Sequence, residues 1–395
     1  MECGIFHTPY MRPGRGDKET FDYSLLLAKA ADRFGYRDFM VGEHGMQAWE
    51  NIPNPELLIV AAAQVTERMR FAAMAHIVPL HVPSSLAIQV GYTSQLLGDR
   101  YFLGVGAGSW ENEAVLRGQP GDLSEAHPRL MEGLDVMDKV WRRQPFKHDG
   151  QFYKAEWLGE GIDPGSVGSH DAFDLKGGEE YHALADHSPH GGADGLEIAI
   201  TGLSTSSPSH ILAGQRGWTP ISFFGGSALL KSQWDVYSKA VIERGDVPNP
   251  GRFKVARDVF VAKTDEEARE QAINGPLGYA WSKYLMPVYK KYRILKGFID
   301  DADKKIDIDD VDLDYLADHV WLIGSPETVI KKIEKTFEQT GIRYGQIAVN
   351  THDALDDPAP WVESLRLFAS EVTANIEVEG AGSPVAVDEK TPAFA

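Results

Sequence analysis

Eight short apolar runs, each followed by a stretch of helical periodicity, constrain this chain more than any other feature. The runs are Cys3–His7, Asp38–Val41, Phe71–Ala75, Tyr101–Val105, Leu196–Thr201, Ile221–Phe224, Val255–Ala262 and Gly345–Val349. Antiparallel neighbours need only hairpin turns, so strands regularly separated by helices predict parallel pairing. The helix signals agree. Asn54-Pro55-Glu56 reads as N-cap, first-turn proline and dipole-friendly acid, and Thr264-Asp265-Glu266-Glu267 as a capping box. Gly35, Gly98, Gly217 and Gly341 stand where helices should stop. The fold class is therefore α/β, and the spacing leaves open a closed (β/α)8 TIM barrel or an open doubly wound sheet.

Two stretches interrupt the repeat, one after the fourth strand and one after the seventh. Residues 147–195 are rich in Gly, His and Asp with little periodicity. Residues 273–319 carry Trp281, Tyr284, Tyr289 and Tyr292 before an acidic segment. Long insertions after barrel strands serve as lids or oligomer contacts. With 395 residues, the chain suits one barrel of about 250 residues plus these insertions. A single domain over residues 1–378 is expected, with a disordered tail at 379–395.

The formal net charge of −19 argues against nucleic acid or an anionic membrane as partner, because both are bound through positive fields. The single cysteine, Cys3, excludes an intrachain disulfide and a Cys-based zinc site. Without a basic, apolar leader or an apolar run near 20 residues, the expected location is the cytoplasm.

Several residues near strand ends could carry chemistry. His44 follows the second strand in Val41-Gly42-Glu43-His44-Gly45, where barrels place their catalytic groups; an imidazole there can donate a hydrogen bond or move a proton. Ala73-Met74-Ala75-His76 closes the third strand with small residues that let something approach the backbone. Gly104-Val105-Gly106-Ala107-Gly108 ends the fourth. It sits in the wrong place for a dinucleotide fingerprint, and its glycines leave room for a flat ring. Ser206-Ser207-Pro208-Ser209 opens a helix, either as an ordinary N-cap or as a seat for a phosphate dianion; Arg129 could add a charge-assisted bond. The histidines at 170, 182, 187 and 190 match no tight ligand spacing and His7 stands alone, so no metal is expected.

In order and spacing these segments resemble the bacterial luciferase-like flavin monooxygenases, most closely the limonene monooxygenase-type branch. The resemblance covers roughly residues 3–375 and rests on Gly4-Ile5-Phe6-His7-Thr8-Pro9, Gly42-Glu43-His44, Val78-Pro79 with Pro83, and Gly98-Asp99-Arg100-Tyr101-Phe102-Leu103-Gly104-Val105-Gly106. Ser207-Pro208-Ser209, Gly324-Ser325-Pro326-Glu327-Thr328-Val329 and Trp361 with Ser364-Leu365 continue it. The resemblance selects the closed barrel. It implies FMN, used as FMNH2 from a separate NAD(P)H:flavin reductase, with O2 as co-substrate.

By the same resemblance, His44 steadies the oxygenated flavin and handles protons. Ala75 follows a non-proline cis peptide beneath the flavin ring, Gly106 borders the ring, and Arg129, Ser206, Ser207 and Ser209 hold the phosphate. Tyr10, Trp110, Phe223, Phe224 and Trp281 would line an apolar or aromatic substrate pocket. Two departures stand out: Gly45 replaces a second histidine of the luciferases, and Ala107 a phosphate-binding arginine. The second implies weaker FMN retention or a substitute cation, and leaves open a deazaflavin (F420)-dependent dehydrogenase or reductase. A non-catalytic flavin-binding protein is the reading from another class. The helices at 54–66 and 84–97 carry small residues, which with the resemblance predicts a homodimer or higher homo-oligomer.

Overall fold

The computed structural model describes residues 1–108, 110–157, 187–223, 225–301 and 304–380. They fall into two compact units. The first comprises Met1–His76, Arg100–Gly106 and the chain from Glu197 onward; the second comprises Ile77–Asp99 and Ala107–Leu196.

The first unit is the barrel. In chain order the strands of the two units together are β1 (Glu2–His7), β2 (Asp38–Val41), β3 (Arg70–Ala73), β4 (His76–Ile77), β5 (Leu103–Gly106), β6 (Phe146–Asp149) and β7 (Lys154–Trp157). They continue with β8 (Ile198–Gly202), β9 (Thr219–Phe223), β10 (Lys254–Arg257), β11 (Val259–Val261), β12 (Leu322–Gly324) and β13 (Gln346–Asn350). Parallel pairing runs β3-β2-β1-β13-β10-β9-β8-β5. The ring closes where Phe71 bridges Tyr101 and the Phe102 N–H donates to the Phe71 carbonyl at 3.0 Å. The closed α/β barrel is thus observed, with its long insertions after the fourth and seventh barrel strands.

The barrel strands are buried on both faces, which explains why they read as continuous apolar runs. Ile5, Phe39, Phe71, Leu103, Ile200, Ile221, Val255 and Ile347 are all fully buried. Gly104 has a packing role: a Cβ there would lie 2.1 Å from the Ala73 carbonyl oxygen and 2.6 Å from Met74 Cε. The position is glycine because two strands close upon each other, where the sequence suggested room for a flat ring.

The N-terminal ends of the strands carry a buried charge network. Asp38 accepts from Arg70 Nε at 2.8 Å, Lys254 Nζ at 2.6 Å and Gln346 Nε2 at 2.9 Å, and Arg70 reaches on to Glu197 at 2.7 Å. Burial pushes the Asp38 carboxyl upward, but Lys254 and Arg70 outweigh it and hold the group below the usual carboxylate range. These residues form the barrel floor, opposite the strand ends where barrel chemistry sits.

The seventh strand differs from expectation. It breaks at Asp258, and β11 leaves the ring to pair in parallel with β12. At the break the Asp258 carboxylate accepts from Trp281 Nε1 (2.8 Å) and Asn350 Nδ2 (3.2 Å) and contacts His352 Nε2 at 2.9 Å. In the second unit, β6 and β7 form an antiparallel hairpin that the sequence did not announce. Helix Pro83–Leu97 packs there with helix Ala126–Trp141, the Trp141 indole donating to the Ala87 carbonyl at 2.8 Å. Residues 158–186, which include His170 and His182, and 381–395 of the expected tail lie outside the described residues. No helix among the described residues is long and apolar enough to cross a membrane.

Candidate active site

Parallel register gathers the carboxyl ends of the strands on one side: His7 lies beside Val41, and Val41 beside Ala73. Three residues past Val41, His44 emerges on the loop after β2, its backbone N–H held by the Ile52 carbonyl at 3.0 Å. The imidazole is 19% exposed, and its Nε2 lies 2.9 Å from Glu50 Oε2. Glu50 also accepts from the Tyr284 hydroxyl at 2.7 Å. Burial pushes the Glu50 carboxyl up, yet the His44 charge and the bonds from His44 and Tyr284 prevail and lower it. An ionised carboxylate only accepts, so Nε2 of His44 carries a hydrogen.

Aromatic rings wall this pair. Trp49 stacks on Tyr284 with centroids 5.4 Å apart and planes 6° from parallel, and Tyr10 lies 6.3 Å from Tyr284. Tyr10 is buried at φ +41°, stacked on His352 at 5.3 Å, an uncommon backbone state for a bulky side chain. It also floors a cavity of ≈ 590 Å³ bordered by Phe260, Tyr279, Trp361, Arg12 and Glu270. Neither Phe223 nor Trp281 lines that cavity. Phe223 ends β9 with its ring 4.7 Å from Phe6, and Trp281 is fully buried, bonded to Asp258 and packed on Tyr289 and Trp321. Phe224 lies outside the described residues.

The Met74–Ala75 peptide is cis, the geometry that the resemblance places beneath a flavin ring. Beyond it, the ring of buried His76 pairs with Glu43 at 3.2 Å and with Glu56. Burial lowers its pKa, but Glu56 and Glu43 together raise it to about 9. Gly106 ends β5.

The exit of β8, the fifth strand of the barrel ring, supplies the phosphate candidates. Ser207 is buried and caps helix Pro208–Arg216, its Oγ accepting from the His210 N–H at 3.4 Å. Ser206 is exposed at φ +51°, its N–H directed to Ser232 Oγ at 3.2 Å, and Ser209 is half-buried on the first turn. Gln233 braces the loop through the carbonyls of Gly202 (3.0 Å) and Ser204 (3.2 Å). With Pro208 lacking an N–H and His210 capped, the Ser209 N–H and the Ser206 and Ser209 hydroxyls are what this turn offers an anion. That chemistry fits a phosphate monoester.

Arg129 and Trp110 stand in the second unit. Arg129 bonds Gln119 Oε1 at 3.2 Å and Glu125 Oε2 at 3.1 Å, with its guanidinium 4.3 Å over Phe152. Trp110 immediately precedes helix Glu111–Leu116. Glu50 was not singled out from sequence, because a lone acid six residues past a histidine matches no spacing rule. Tyr284 was visible only as one aromatic residue of an insertion.

Comparison with known proteins decides the family. The luciferase-like monooxygenase model matches residues 1–344. The chain belongs to that family. Among luciferase-like relatives, 2,5-diketocamphane 1,2-monooxygenase 2 of Pseudomonas putida is 46% identical over 377 residues, 95% of this chain and 99% of the relative. Limonene 1,2-monooxygenase of Rhodococcus erythropolis is more distant, 24% identical over 94% of this chain and 86% of its own. A solved structure of the oxygenating constituent of 3,6-diketocamphane monooxygenase from Pseudomonas putida, a type II Baeyer–Villiger monooxygenase in complex with FMN, superposes with a TM-score of 0.86. It is 42% identical and covers 96% of this chain and 99% of that one. Within the family, this chain thus resembles the diketocamphane enzymes more than the limonene enzyme.

Proposed function

We propose that this chain is the oxygenating component of a two-component FMN-dependent monooxygenase, inserting one atom of O2 into an apolar cyclic ketone. The observation that carries the reading is the 42% identity, over nearly the whole chain, to a Baeyer–Villiger monooxygenase structure that holds FMN. The site supports it with an imidazole at a barrel strand's carboxyl end and a hydroxyl-lined helix start.

Reduced FMN, when bound, supplies the electrons that activate dioxygen. In this reading the chain's own residues do the rest. Ser206 and Ser209 hold the phosphate on the turn that Ser207 caps, while Ala75 and Gly106 support the ring. His44 holds and moves a proton, a role worth about 10²–10⁴ in rate. Tyr10 shapes the substrate pocket. The 273–319 insertion excludes water. The protein is read as one domain over residues 1–378, cytoplasmic, and fed by an NAD(P)H:flavin reductase. A homodimer is supported by the exposed Ile88, Tyr92 and Leu96, which recur every four residues along helix Pro83–Leu97. A single-chain mass by light scattering would overturn that assembly.

The test supplies FMN, NAD(P)H, a flavin reductase and a diketocamphane, and follows oxygen uptake and lactone formation. Ketone-dependent lactone with matching oxygen consumption is expected, and His44→Ala should abolish it. Turnover without oxygen, using deazaflavin, would instead establish the hydride-transfer alternative. Full turnover by His44→Ala would remove the role given to His44.

A further inference from the structure

We infer that Glu50 is a positioning residue for His44, and that Tyr284 acts on the imidazole through Glu50. The inference rests on the proposed proton-handling role of His44. Three side chains from two distant segments make one bonded line: Tyr284 Oη to Glu50 Oε1 at 2.7 Å, and Glu50 Oε2 to His44 Nε2 at 2.9 Å.

Glu50 is 7% exposed, so its two acceptor oxygens face protein donors in place of bulk water. An acceptor-only partner at Nε2 commits the neutral imidazole to the Nε2–H tautomer, and Nδ1 becomes the atom that gains and loses a proton. When Nδ1 takes up a proton, the new positive charge lies beside a carboxylate. When that proton leaves, the Nε2–H bond remains in place and the ring keeps its orientation. Third groups that orient a catalytic histidine act in this way in hydrolytic triads.

The second half of the line gives Tyr284 its role. Tyr284 belongs to the π-helix Trp281–Leu285 inside the insertion after the seventh barrel strand. Its ring is stacked on Trp49, the neighbour of Glu50, and Trp49 also lies 5.9 Å from Tyr279. The insertion therefore grips the loop that carries Glu50 by a ring stack and a hydrogen bond together. Docking of the insertion and orientation of the imidazole become one event, so that His44 is set for proton transfer when this wall is in place.

The test compares wild type, Glu50→Gln, Tyr284→Phe, the double variant and His44→Ala. Each is assayed with saturating FMNH2, oxygen and ketone, and each FMN affinity is read separately by fluorescence titration. Glu50→Gln should lower kcat 10- to 100-fold and Tyr284→Phe 3- to 10-fold, with FMN affinity within twofold of wild type. The double variant should be no slower than Glu50→Gln alone, because Tyr284 works through Glu50. In ¹⁵N-histidine NMR of the FMN-free protein, the resonance lost in His44→Ala should show a protonated Nε2 in wild type and lose that state in Glu50→Gln. Wild-type kcat in Glu50→Gln, alongside a dead His44→Ala, would overturn the inference and spare the function. An active His44→Ala would instead overturn the proton-handling role of His44 on which the inference rests. Should Glu50→Gln fail to fold, Tyr284→Phe decides, and an unchanged kcat there refutes the relay.

Discussion

Asp38→Asn should destabilise the barrel by about 3 kcal/mol while leaving turnover per folded molecule intact. In the folded protein the Asp38 side chain is fully buried and the Lys254 side chain 7% exposed, at 2.6 Å. Losing one partner of such a pair costs roughly 3–5 kcal/mol, because the surviving charge stays buried without its counter-ion. The lower end applies here because Arg70, which also loses Asp38, keeps Glu197 at 2.7 Å. A loss of this size raises the unfolding constant by about two powers of ten, since 1.4 kcal/mol is a factor of ten.

Urea unfolding at pH 7, followed by tryptophan fluorescence and far-UV circular dichroism, would measure it. Asp38→Asn with Lys254→Met should recover at least about 1 kcal/mol of the loss, since it removes the stranded ammonium. A single-variant loss below about 1 kcal/mol, or a double variant no more stable than the single, would refute the reasoning. So would a fall in kcat for the folded fraction, because the floor lies opposite the chemistry.

Two further outcomes follow from the same structure. Burial lowers the pKa of His7 and of His210 to about 3. Their stabilising contribution is thus complete above the ordinary histidine value near 6.5 and is lost as pH falls from there toward 3. Unfolding free energy should drop by up to about 1.4 kcal/mol per pH unit for each ring across that window, and His210→Phe should remove one ring's share of the slope in acid urea titrations. Ser207→Ala should cost about 1 kcal/mol through the lost N-cap and weaken FMN binding in the fluorescence titration; unchanged stability would show that the cap carries no energy.

Legibility in the sequence followed how local each cause is. β2 was read with its observed bounds, and helix Pro208–Arg216 with both its caps, because burial of strands and capping of helices are decided by adjacent residues. Gly217 takes φ +75° as a helix-ending glycine should. His44 was also legible, since the end of a barrel strand is a place the alternation itself marks. The break at Asp258 was not, because the partners of its carboxylate, Trp281, Asn350 and His352, lie far along the chain. Gly104 was misread for the same reason: its neighbour is Ala73 of another strand.

Sequence alone therefore determined the alternation of parallel strands and helices, the helix caps and the place of His44 just after the second strand. All of these arise from residues within a few positions of one another, through propensity, capping and burial period. Tertiary structure alone decided what each polar atom meets: Asp38 with Lys254 across 216 positions, and Glu50 with Tyr284 across 234. Such pairs exist only once the ring has closed. The hydrogen bonds that set a charge or a tautomer are short-ranged in space and carry no period along the chain.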